Sequence, residues 1–116
     1  MAIKKFEESK AWQKSMDMAT AVTDAVDDCK RFAFVDQIYR ASISVGSNIA
    51  EGFERPTKPD RMRYLAIAKG SCNETRSLLH FGVRKRLIDK TTYEKLAELV
   101  DETGKLIHAV MNSPYA

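Results

Sequence analysis

The chain has 116 residues and a mass of 13.1 kDa, with 44% hydrophobic and 30% charged residues and a formal charge of +3. That length supplies one core without help from metals or disulfides, and no apolar run approaches the roughly 20 residues that cross a bilayer. The opening Met1-Ala2-Ile3-Lys4-Lys5-Phe6-Glu7-Glu8 carries charges with no apolar stretch behind them, so it does not read as a signal peptide, and a single cytoplasmic domain over 1–116 without a membrane contact is expected.

A first helix is predicted over about 8–29, because Trp12, Met16, Ala19, Val22 and Val26 recur at helical spacing and Ala11, Met18, Ala25 and Cys29 widen the stripe. Its other side holds Asp17, Asp24, Asp27 and Asp28, and Lys30-Arg31 follow where cations suit the helix dipole. Phe32 and Phe34, beside the turn over 30–33, are expected to close the end of a bundle rather than to stack on bases.

The second helix, 34–55, puts Ile38, Ser42, Val45, Ile49 and Gly52 on one stripe. Gly46, Gly52 and the surrounding serines and alanines make it thin. Exposed helical glycines would each cost about 1 kcal/mol relative to alanine, so close approach of a neighbour is the expected reason for them. A second, polar stripe holds Ser44, Asn48, Glu51 and Arg55. The helix ends at Arg55 because Pro56 disfavours helical geometry in the residue before it.

Thr57 then reads as an N-cap with Asp60 in the first turn, and Pro59 is tolerated there because early helical N–H groups lack partners. The third helix is predicted over 58–87, about 45 Å long. One stripe is Leu65, Ala68, Cys72, Thr75, Leu79 and Gly82, and a second is Tyr64, Ile67, Ser71, Leu78 and Phe81. Two apolar stripes call for burial on two sides, which self-association supplies. The alternative cover is the loop before Thr57 together with the chain termini.

Thr91 with Glu94 has the Thr-x-x-Glu pattern of a capping box, so a fourth helix is predicted over 92–112, ending before Pro114. Its stripe is Leu96, Leu99, Thr103, Leu106 and Val110, broadened by Val100 and Ile107. Four amphipathic helices on short connections make an all-α, up-down-up-down antiparallel four-helix bundle.

Asp36-Gln37-Ile38-Tyr39-Arg40-Ala41-Ser42-Ile43-Ser44 leading to Asn48-Ile49-Ala50-Glu51-Gly52 resembles a signature of the bacterial four-helix-bundle family named for proteins encoded in 23S rRNA intervening sequences. The stretch from Tyr64 to Glu74, with Gly70 and Ser71, resembles that family's second signature, and Phe6 to Trp12 its opening. The resemblance implies a helical bundle assembling as a ring, often a pentamer, associated with nucleic acid. Relatives that serve as accessory proteins of diversity-generating retroelements belong to the same family, so its name does not define one role.

The chemistry available is mainly charge. From Thr57 to Ile88 there are eight basic and two acidic residues, a net +6, and the rest of the chain carries −3. Lys69, Asn73, Arg76, His80 and Arg84 repeat at helical spacing over about 22 Å, on a polar stripe expected opposite the apolar ones, and Lys85 and Arg86 thicken its end. Such a row follows the phosphates of RNA or DNA, or is an ordinary solvated face in a single subunit. Asn48, Glu51, Arg55, Ser71 and Glu74 are expected to form a polar knot that fixes helix register, rather than a ligand pocket. Cys29 and Cys72 read as core thiols. No cofactor or metal is expected: with only His80 and His108 to add, no zinc-site spacing exists. No catalytic pattern is present either, and Glu51 with Glu74 would need the second and third helices to bring them together. The expected function is non-enzymatic nucleic-acid association, with a scaffold or adaptor binding an acidic protein such as a polymerase or reverse transcriptase as the alternative.

Overall fold

Ser9 sets the first boundary of the bundle. Its Oγ accepts the Trp12 N–H at 3.3 Å, an N-cap that separates a 3-10 turn at Phe6–Glu8 from helix α1, Lys10–Val26. The structure, a computed structural model, describes residues 5–113, and three further helices follow: α2 Phe32–Glu54, α3 Lys58–Arg84 and α4 Lys90–Met111. The stop expected at Pro114, and Met1 to Lys4 of the opening segment, lie outside the described residues. Among the described residues there is no strand, and no helix is long and apolar enough to cross a membrane.

Each helix packs against two others, α1 on α2 and α4, α3 on α2 and α4, and the diagonal pairs do not approach. The square cross-section has α2–α3 as its most extensive side, in a particle of 44 × 22 × 19 Å. Met18, Val22, Ile38, Val45, Ile49, Leu79, Val100 and Ile107 fill the centre with almost no exposure. Small polar residues enter that centre without cost to hydrogen bonding, because Ser15, Ser42, Thr75 and Thr103 each donate to a carbonyl of their own helix.

Several boundaries differ from the expectation, each for a local reason. Helix α1 stops at Val26 rather than at 29: Asp27 and Asp28 fall at its negative end, and the Asp27 carboxylate accepts the Tyr39 hydroxyl of α2. Helix α2 accordingly begins at Phe32, which is 78% exposed, so only Phe34 closes the bundle's end, against Phe81 at 6.1 Å between ring centroids. Met16, expected in the core stripe of α1, is also exposed, and Ser15 is buried beside it.

Helix α3 begins at the Thr57 N-cap, whose Oγ1 accepts the Asp60 N–H at 3.4 Å. It ends at Arg84 rather than at 87. Arg86 stands at φ 60°, while the Arg86 N–H bonds to Val83 O at 3.0 Å and the Leu87 N–H to Gly82 O at 2.8 Å. This is the Schellman arrangement with arginine where glycine is usual. Arg86→Gly should therefore raise stability by about 1 kcal/mol, read as a higher denaturation midpoint with an unchanged slope; a lower midpoint would contradict it.

The chain then runs through Ile88, buried on Gly82, to Asp89 in extended geometry. Asp89, not Thr91, is the N-cap of α4: its Oδ1 accepts the Thr92 N–H at 2.7 Å. The expected capping box at Thr91 does not form, because the Ile88 anchor places the better capping residue first. The Thr92 amide holds the Asp89 carboxyl below the usual carboxylate range. A depressed folded value means a contribution fully present above the ordinary value near 4 and lost as pH falls through the folded one. Asp89→Ala should thus destabilise the protein at neutral pH, with the gap from wild type closing in acid; a gap that is constant from neutral to acid melts would contradict the charged cap.

Candidate nucleic-acid interface

The buried stripe of α3 is Leu65, Ala68, Cys72, Thr75, Leu79 and Gly82. Because these six residues turn inward, Asn73, Arg76, His80 and Arg84 are exposed and Lys69 is half-buried. The row is continuous but does not lie opposite the apolar stripe. It runs along the flank of α3 that meets α4. Arg76 Nη1 is 3.6 Å from Asp101 Oδ1, and the His80 ring lies 5.2 Å from that of Tyr93, whose hydroxyl is 3.2 Å from His80 Nε2. Lys85 and Arg86 are exposed beyond the end of the helix, where Arg86 joins Lys30 and Arg31 around a hollow of about 440 Å³.

Between α3 and α4 lies a groove of about 520 Å³, with Lys69, Asn73 and Arg76 on one wall and Asp101, Lys105 and His108 on the other. Its floor holds Cys72 and Gly104. The Cys72 thiol donates to Val100 O at 3.3 Å; burial pushes it up to about 11, reinforced by Asp101 and opposed by Lys69 and Arg76. It is therefore a neutral S–H at physiological pH. Lys105 was missed by the sequence reading and His108 was weighed there only as a metal ligand, because that reading had only the faces of single helices. Their signal was the polar set Asp101, Lys105 and His108 recurring at helical spacing beside the apolar stripe of the fourth helix.

The expected polar knot is smaller than its sequence set and has a different centre. Asn48 Nδ2 donates to Ser44 O at 2.8 Å and to Ser44 Oγ at 2.9 Å, and Ser44 Oγ meets Ser71 Oγ across the α2–α3 contact at 2.9 Å. Glu51 pairs instead with Arg55 at 2.6 Å, and the Arg55 guanidinium lies 5.4 Å from the centre of the Tyr64 ring. Glu74 is exposed, about three turns of α3 from Tyr64, so no Glu51–Glu74 carboxylate pair exists. Gly52 sits against Arg61 and Tyr64, whereas a Cβ on Gly70 would meet nothing within 4 Å among the described residues. Among the described residues, no three His, Cys, Asp or Glu side chains are grouped to hold a metal.

The second apolar stripe of α3 is covered only in part, by α2. Ile67 is 42% and Phe81 50% exposed, and Tyr64, Ser71 and Leu78 are half-buried on the α2 side. The cationic row and these apolar residues thus occupy different flanks of one helix.

A sequence profile of the family described as 23S rRNA-intervening sequence protein matches residues 7–109. The chain is similar, at a TM-score of 0.83 and 27% identity, to a crystal structure at 1.70 Å of a protein of unknown function from the S23 ribosomal protein family of Bacteroides thetaiotaomicron. That similarity covers 89% of this chain and 99% of the other. Among curated proteins no significant match was found.

Proposed function

Because the chain belongs to the family of 23S rRNA-intervening sequence proteins, we propose that it is a non-enzymatic module that associates with RNA or DNA through the basic flank of α3, with little sequence preference. The observation that carries this reading is a row of cations with a single, half-exposed protein counter-charge. Among the described residues, Lys69, Arg84, Lys85 and Arg86 form no ion pair, and Arg76 has only the half-exposed Asp101. A half-exposed pair at 3.6 Å contributes little and gives way readily to a phosphate.

The reading includes self-association into a ring, with a pentamer as the assembly, through the open flank that carries Ile67 and Phe81. A helical glycine with open space around it, Gly70, stands between these two apolar residues in sequence and suits the close approach of a second helix. Symmetry then repeats the basic row, so individually weak phosphate contacts add up. Light scattering should give a mass several times that of the protomer; a single species near 13 kDa at micromolar concentration would remove the ring.

The association itself is tested by gel shift with RNA and DNA of unrelated sequences over a salt series. All should be retained at low salt, with log affinity falling linearly against log salt. Retention of one sequence alone, or of none, would contradict the proposal.

A further inference from the structure

We propose that the bound nucleic acid is a single strand seated in the α3–α4 groove, its backbone phosphates passing between cations contributed by both helices; this rests on the reading above and adds the class of ligand and its path. Each wall of the groove carries a lysine. Lys69 and Arg76 face it from α3, Lys105 and His108 from α4, and the one carboxylate lining it among the described residues, Asp101, is paired with Arg76. A ligand lying on the outer ridge of α3 gains nothing from Lys105, whereas one inside the groove meets cations on both sides.

The volume and floor of the groove fit a strand entering it. About 520 Å³ falls within the roughly 300–1,000 Å³ of ordinary ligand sites. Its floor is uncharged, because the Cys72 thiol is buried and engaged with Val100 O. Among the described residues, Gly104 has no packing reason to be glycine, and a Cβ there would meet only Cys72 Sγ, at an ordinary 3.9 Å. Helix interiors favour alanine over glycine, so the missing side chain destabilises α4 slightly and leaves the floor clear. A duplex presents its phosphates on the outside of a wide rigid cylinder and reaches the rim alone. A single strand is narrow enough to enter, and one turn of α3 beyond Arg76 the His80–Tyr93 pair offers ring surface for a base.

The test uses the full chain and fluorescence anisotropy with a labelled single-stranded oligonucleotide and the duplex of the same sequence. The single strand should bind more tightly. Gly104→Leu, which fills the floor without changing charge, and Lys105→Glu, which reverses one wall, should each weaken it by about ten-fold or more. Lys95→Glu, the same charge change at an exposed site outside the groove, should alter it by less than about two-fold. Gly104→Ala should melt at or above the wild-type temperature, and should Gly104→Leu fail to fold, Lys105→Glu against Lys95→Glu decides alone. Tighter binding of the duplex, or equal losses from the two lysine reversals, would overturn the groove. Wild type that binds single strands while Gly104→Leu and Lys105→Glu bind as well as it does would remove the groove alone; wild type that binds neither oligonucleotide would remove the underlying association too.

Discussion

Gly52→Leu is expected to melt several degrees below Gly52→Ala, which should melt near or above wild type. A Cβ at position 52 would sit 3.4 Å from Arg61 O, 3.4 Å from Tyr64 Cβ and 3.9 Å from Leu65 Cγ, all ordinary contacts. Alanine therefore fits and gains up to about 1 kcal/mol of helix propensity. Leucine must place three more carbons against a backbone carbonyl that cannot rotate away, where α2 and α3 are joined by the short turn after Glu54. Overpacking of this kind costs about 1–3 kcal/mol. Equal melting temperatures for the two variants would show that bulk is not what position 52 excludes.

The other glycines show how far spacing alone could reach. Gly46 and Gly82 are tighter than Gly52: a Cβ would lie 2.8 Å from Ser15 Oγ at the first, and 2.8 Å from Ile88 Cδ1 and 3.0 Å from Phe34 Cζ at the second. Helical periodicity put Gly52 and Gly82 on inward stripes, and the full inward stripe of α3 was legible for the same reason, whereas Gly46, also buried, was on neither stripe of the second helix and was marked only by the thinness of that segment. Periodicity does not say what stands opposite a stripe, so it could not rank the three or foresee that Gly70 faces open space among the described residues.

The same limit shaped the candidate site. The spacing of Lys69, Asn73, Arg76, His80 and Arg84 made them one row, but the side of α3 they occupy depends on how the helix is rotated in the bundle. Only the antiparallel register of α3 and α4, visible in the Arg76–Asp101 and His80–Tyr93 contacts, brings Lys105 and His108 to the same groove. Caps were legible where one residue competed for the position, as at Thr57, and not where a tertiary anchor chose between neighbours, as Ile88 does for Asp89 over Thr91.

The largest effect on function is expected from the double charge reversal Arg76→Glu and Arg84→Glu. Both residues are exposed, and neither lies on the flank of Ile67 and Phe81, so the assembly should keep its mass. Two cations lost and two anions gained along one phosphate path should weaken binding on the order of 100-fold at low salt, for every sequence alike. The stability change should be small, because Arg76 gives up only a half-exposed pair with Asp101.

Affinity for one RNA and one DNA, measured across a salt series for wild type and this double variant, with light scattering on the same samples, bears most directly on the basic row. The expected result is a steep linear fall for wild type and a slope shallower by about 2 for the variant, in particles of equal mass. An unchanged affinity and slope in an intact assembly would make the row an ordinary solvated face and leave an acidic protein as the partner to seek.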